Sequence, residues 1–173
     1  MAALLVSVAK AITSELGSID LSESVEIVRS YADWQAKLED FETGLRLDVV
    51  PVDCPFEQQS RGKYRYECVV NLLLRRTLDP RTDRHLSDGR IDPEVIDGYV
   101  EDLQTVSEFF APNQPSYDGR KLTDVSDAAW IAETTLLPTA RRSGVAAPYS
   151  QEMLLKDQYS GLVTVVYRVV RSR

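Results

Sequence analysis

The chain has one histidine, His85. Any Ser–His–Asp or Cys–His nucleophile would have to be built on it. No GxSxG elbow accompanies it, and its setting, LDPRTDRHLSDGRID, is polar throughout, which reads as a solvated side chain. Asp79, Asp83, Asp88 and Asp92 in the same stretch invite a calcium reading. Their spacing does not follow an EF-hand loop, and Arg81, Arg84 and Arg90 are interleaved with them. Cys54 and Cys68 form no CxxC, have no histidine nearby, and give no zinc-ligand spacing. They read as reduced thiols, with a disulfide as the alternative. Neither GxGxxG nor GxxxxGK[ST] occurs among the 8 glycines. Asp97 and Glu101 stand four residues apart on a helical pattern, a spacing that could pair a general acid with a base. A solvated acidic helix face accounts for it more simply. The expectation is no catalytic residue, no metal and no cofactor: a protein that is not an enzyme.

The elements that would position these residues follow from periodicity. With 173 residues, 43% hydrophobic and 27% charged, the chain is long enough for one domain with its own core and too apolar to be disordered. Leu5, Val8, Ile12 and Leu16 recur at helical spacing in residues 1–16, with Gly17 as the expected C′ residue. The same stretch lacks the basic start and cleavage site of a signal peptide, and no apolar run is long enough to span a bilayer. Residues 24–31 and 45–52 alternate as strands, and Pro51 belongs at an edge or a bulge. Trp34, Leu38 and Phe41 fit a short helix or an anchored loop between them. Residues 54–63 (CPFEQQSRGK) read as an exposed loop. Residues 64–77 alternate over a long strand. Asp92, Pro93 and Glu94 announce a helix over 92–110, with Val95, Tyr99, Leu103, Val106 and Phe110 as its buried stripe. Its other side, Asp97, Glu101, Asp102 and Glu108, is purely acidic. Residues 128–137 and 162–170 are the last two strands, and 78–91 and 138–159 are long loops. The whole is a single α+β domain over 1–173: a mostly antiparallel sheet with helices packed on one face, in two layers. The second sheet face carries Val69, Leu73, Leu162, Val166 and Val170, and an exposed apolar patch of that kind marks a partner surface.

Lys+Arg is 20 and Asp+Glu 27, a formal charge of −7, which disfavours non-specific binding of nucleic acid. The charge is uneven. Towards the C-terminus Arg141, Arg142, Lys156, Arg168, Arg171 and Arg173 outnumber Glu152 and Asp157, and Arg61, Lys63, Arg65, Arg75 and Arg76 make the third strand and its approach basic. Ordinary solvated charge explains this. The sharper reading is self-complementarity. Basic strands of one copy (Arg65, Arg75, with Val166 and Val170) would face the acidic helix (Asp97, Glu101) of a neighbour, in a heterologous contact that can close a ring.

An amphipathic N-terminal helix, a strand ending IVRSY, the strand LRLDVVPVD, a polar loop and GKYRYECVVNLLLRR follow in order. An acidic helix ending EFF and a final QYSGLVTVVYRVVR complete the chain. This succession resembles the tail terminator (tail completion) proteins of the neck region of long-tailed phages. The strands LRLxVVPxD and xxYxVVR carry most of the likeness, which covers nearly the whole chain except 78–91 and 137–157. The resemblance implies a structural virion protein, assembled in the host cytoplasm and located in the tail and neck. Six copies would form a ring that caps the tail tube and ends its elongation. Its partners would be itself, the tail tube protein and a neck or connector protein, with no membrane; DNA would pass through the lumen without specific binding. Axial contacts would come from the loops bearing Phe56 and Arg61 and bearing Arg141 and Arg142. Another head–tail adaptor or stopper is the nearest alternative. A small cytosolic enzyme or ligand-binding domain, or a host interaction domain, are alternatives of other classes.

Overall fold

The computed structural model describes residues 3–31, 44–79, 86–87, 90–110, 119–125, 127–130, 135–136 and 149–172. In chain order the elements are α1 (Leu4–Leu16), β1 (Val25–Arg29), β2 (Leu45–Asp53), β3 (Phe56–Ser60), β4 (Lys63–Thr77), α2 (Pro93–Phe110), β5 (Ala128–Trp130), β6 (Thr135–Leu136), α3 (Gln151–Leu154) and β7 (Gln158–Ser172). The fold is a two-layer α+β domain.

Two 15-residue strands, β4 and β7, form the spine of the sheet and pair antiparallel along their full length. β2 and then β1 extend it on one side, in the order β1-β2-β4-β7-β5. β5 and β6 pair with β7. Of the expected strand over 128–137, the described residues supply Ala128–Trp130 and Thr135–Leu136. β1 pairs parallel with β2, from Val25↔Leu45 to Arg29↔Val49, so the sheet is mixed although mostly antiparallel. Short connections favour hairpins, but the chain between Arg29 and Leu45 is long enough for the crossover that a parallel pair needs.

Residues 56–60, expected in a loop, are a strand. β4 is longer than β2, and β3 pairs with the part of β4 that β2 leaves open, from Phe56↔Tyr66 to Ser60↔Lys63. All five β3 residues are exposed, so no hydrophobic alternation marks it. Gly62 closes the turn with φ of +86°, a conformation open to glycine without steric cost. Pro51 sits at a β-bulge, as expected: the β2–β4 register shifts between Pro51 and Asp53, with Val52 the extra residue.

Strand parity selects the core. Leu45, Leu47 and Val49 of β2, Cys68, Val70, Leu72 and Leu74 of β4, and Tyr159, Val163, Val165, Tyr167 and Val169 of β7 share one face. Val8, Ala9, Ile12 and Leu16 of α1 and Tyr99, Leu103, Val106 and Phe110 of α2 cover it. The side chain of Asp92 accepts from the Glu94 N–H at 3.0 Å, the expected cap of α2. Gly17 ends α1 at φ −56°, right-handed rather than left-handed, so α1 closes without the expected C′ glycine conformation. Main-chain N–H groups of Gly17, Ser18 and Ile19 donate to the Ser14, Glu15 and Leu16 carbonyls there, and the Glu15 carboxylate beside that end accepts from Arg120 Nε (3.1 Å) and from the Thr123 N–H (3.1 Å) and hydroxyl (2.5 Å). The Arg120 guanidinium lies 3.8 Å from the centre of the Phe109 ring, and its carbonyl accepts from Tyr167 Oη at 2.6 Å. One residue therefore ties α1, α2 and β7 together.

Candidate assembly surfaces

The helix layer presents the acidic surface. Pro93–Phe110 turns its apolar stripe onto β7, with Tyr99 packed against Tyr159 at 5.3 Å and Phe110 edge-on to Tyr167 at 6.4 Å. Asp97, Glu101 and Glu108 are left exposed on the far side. Asp97 and Glu101 meet no cation among the described residues. Asp102 departs from the expected acidic face. It is only 5% exposed, and its carboxylate accepts from the Ser22 N–H (2.8 Å) and hydroxyl (2.5 Å). It therefore holds the turn ahead of β1 rather than facing solvent. Burial, with Asp102 nearby, pushes the Tyr159 phenol well up, so its hydroxyl stays a donor, to the Tyr99 carbonyl at 3.2 Å.

The second sheet face divides into a closed end and an open end. Leu73 and Leu162, expected in an exposed patch, are 1% and 2% exposed. Beside them lies an ion pair. Asp48 of β2 accepts from Arg75 of β4 through both Nε, at 3.0 Å, and Nη2, and from Arg46 Nε at 3.2 Å. Asp48 is 0% and Arg75 3% exposed. This corrects the expectation for Arg75: its charge is neutralised inside the subunit and does not face a neighbour. Asp48 went unremarked in the sequence, although its parity in LRLDVVPV, two residues from Arg46 and on the same face, is the signal that would have found it.

Towards the open end the pairs Val69↔Val166, Glu67↔Arg168 and Arg65↔Val170 follow one another. Val166 is half-buried and Val170 exposed. Arg65 is half-buried in a ladder of alternating charge: its Nη2 meets Glu57 at 2.6 Å and its Nε meets Glu67 at 3.6 Å, and Arg168 reaches Glu67 at 3.1 Å. Arg76 is likewise held by Glu23 at 2.9 Å. The basic strand expected from residue counting is therefore largely neutralised: by Asp48 and Glu57 on the strands beside it, by Glu67 within it and by Glu23 ahead of β1. Pro55, Phe56, Glu57, Arg65 and Glu67 line a shallow cleft of about 180 Å³ at this end.

Two exposed cations lie at the tip of the β3–β4 hairpin. Arg61 and Lys63 are exposed there and meet no carboxylate among the described residues. Phe56, 66% exposed, stacks obliquely on Tyr64 (6.4 Å) and Tyr66 (5.9 Å) along the same hairpin, towards its base, where Phe56 pairs with Tyr66. Of the expected axial contacts, Phe56 and Arg61 share this hairpin but stand at opposite ends of β3, Phe56 at its base and Arg61 in its turn. Arg141 and Arg142 lie outside the described residues, as do His85 and Trp34, Leu38 and Phe41. Among the described residues no three His, Cys, Asp or Glu side chains gather as a metal-ion site, and no helix is long and apolar enough to cross a membrane. No protein-family model matches the chain, and no curated protein is similar to it.

Proposed function

We propose that this protein is a structural, non-enzymatic subunit whose copies join head to tail into a ring, and that the ring works as a tail terminator. It caps the tail tube of a long-tailed phage, ends its elongation and offers a surface to the neck. The single observation that carries the reading is the separation of two unmatched surfaces. Asp97 and Glu101 stand exposed on the helix layer, while Arg61 and Lys63, with the apolar Val170, stand at the hairpin end of the sheet. Tyr99 packs on Tyr159, so the acidic turns of α2 lie near the start of β7, whereas Arg171 opposite Tyr64 marks its end. Arg171 is twelve residue steps along the strand from Tyr159, about 40 Å. One copy cannot bring its own patches together; a second copy can. A contact between two different patches closes into a ring when the rotation between copies divides the circle. Six copies, the number the sequence likeness implies, is the arrangement proposed. Such rim charges choose the partner and set the register more than they add affinity. A net charge of −7 suits a lumen through which DNA must slide without its phosphates being held.

The test is native mass spectrometry with negative-stain images of the purified chain, alone and with tail tubes. A ring alone, or one that forms on tube ends and stops their growth, is the expected result. Asp97→Lys with Glu101→Lys should abolish it, and adding Arg61→Glu and Lys63→Glu should restore it. A charge reversal that leaves sedimentation unchanged at moderate salt overturns the reading. A ring that forms but does not stop tube growth makes it a neck adaptor instead.

A further inference from the structure

We propose that Cys54 and Cys68 form a reversible dithiol–disulfide site that takes a small-molecule disulfide as its oxidant and staples the β3–β4 hairpin to the sheet. The two sulfurs lie 2.9 Å apart. The bulge in β2 brings them together. Before it, β2 and β4 pair as Pro51↔Val70; after it, Asp53 pairs with Val69, and β3 continues this shifted register from Phe56↔Tyr66. In the shifted register Cys54 falls opposite Cys68. Without Val52 as the extra residue, Cys68 would face Asp53 instead. The Glu67 N–H donates to the Pro55 carbonyl at 2.9 Å, so 55 and 67 form the hydrogen-bonded pair and 54 and 68 the adjacent non-hydrogen-bonded pair. In that kind of pair the two backbones approach most closely, within the Cα separation that a disulfide spans.

The two thiols differ in access. Cys68 is fully buried in the core, and Cys54 is half-buried where β2 ends. Burial pushes the Cys68 thiol well up, which leaves Cys54 as the sulfur that reacts first. The Cys54 thiolate attacks one sulfur of the small disulfide RS–SR and expels RS⁻, giving a mixed disulfide. The Cys68 sulfur then attacks the Cys54 sulfur, the second RS⁻ departs, and the Cys68 proton goes to it. Two protein thiols are oxidised, one RS–SR is reduced to two RSH, and atoms and electrons balance. The bond would close a loop of about 15 residues around the hairpin that carries Phe56, Tyr64 and Tyr66, and reduction would release it.

The reduced full-length chain is incubated with oxidised glutathione, quenched with acid, unfolded and alkylated. The expected product is a monomer about 2 Da lighter that takes up no alkylating agent. Its tryptic digest should join Leu47–Arg61 to Tyr66–Arg75. Its Tm should rise by about 6–12 °C and return on adding dithiothreitol, and amide exchange over 56–66 should slow. Cys68→Ser should stop at a glutathione adduct on Cys54, and Cys54→Ser should stay unmodified. Two alkylated cysteines after the incubation, disulfides only between chains, or an adduct on Cys68 in the Cys54→Ser variant would each overturn the proposal.

Discussion

At the scale of single residues, two carboxylates set how this subunit responds to mutation and to pH. Asp48 and Arg75 neutralise each other in a site where each is almost wholly buried. Removing one partner strands the other charge without water. Asp48→Ala is expected to cost about 3–5 kcal/mol in urea unfolding. Asp48→Leu combined with Arg75→Met removes both charges and should recover most of that loss. If the double variant is as unstable as the single, the pair is contributing more than its own desolvation balance. Glu15 behaves differently. Its hydrogen bond from the Thr123 hydroxyl, with Arg120 alongside, outweighs its desolvation and holds its carboxyl below the ordinary value of 4.5. A carboxyl lowered in the folded state contributes stability that is complete above pH 4.5 and is lost as pH falls through its folded value. Glu15→Gln should therefore lower the wild-type stability at pH 7 by about 1–2 kcal/mol and flatten its decline below pH 4.5. Both are read from Tm as a function of pH.

At the scale of elements, legibility followed the way each segment is stabilised. α1, β1, β2, β4 and α2 bury one stripe or face, so their apolar residues keep the period of 3.6 or 2 that a sequence displays. β7 was legible from Leu162 onward, but its start at Gln158 was not, because Gln158 and Ser160 are polar residues buried by their surroundings. β3 left no apolar signal: its stabilisation comes from main-chain bonds to the overhang of β4, and FEQQS shows only polar side chains around one phenylalanine. The parallel β1–β2 pair was illegible for a related reason, since pairing direction is a property of the connection and of the whole sheet. Where an element is announced by a cap, the announcement can be tested. Asp92→Ala should cost about 1 kcal/mol by freeing the Glu94 N–H, whereas Asp92→Ser should retain most of it. Chemical denaturation of the two variants, with helix content by circular dichroism, separates loss of the cap from loss of the helix.

At the scale of the whole molecule, the candidate surfaces were legible as charge totals and illegible as surfaces. Counting gave Arg65 and Arg75 to an exposed basic strand. Register gives them to Glu57, Glu67 and Asp48, while Arg61 and Lys63 at the hairpin tip remain exposed. The apolar part of the second face contracts in the same way, from five positions to its open end. That contraction makes a sharper prediction than the full patch would. Val170 is 45% exposed and stands directly opposite Arg65. An aspartate there can meet that guanidinium in the lone subunit, so Val170→Asp should leave the monomer's unfolding within about 0.5 kcal/mol of wild type. In a head-to-tail ring the same carboxylate would be pressed against a neighbour and lose its water, so the variant should sediment as a monomer at concentrations where wild type does not. Val166, half-buried opposite Val69, has no such outlet, and Val166→Asp should lower the Tm of the monomer itself. If Val170→Asp assembles as wild type does, the open end of the sheet is not part of the contact between copies, and the hairpin tip alone must supply it.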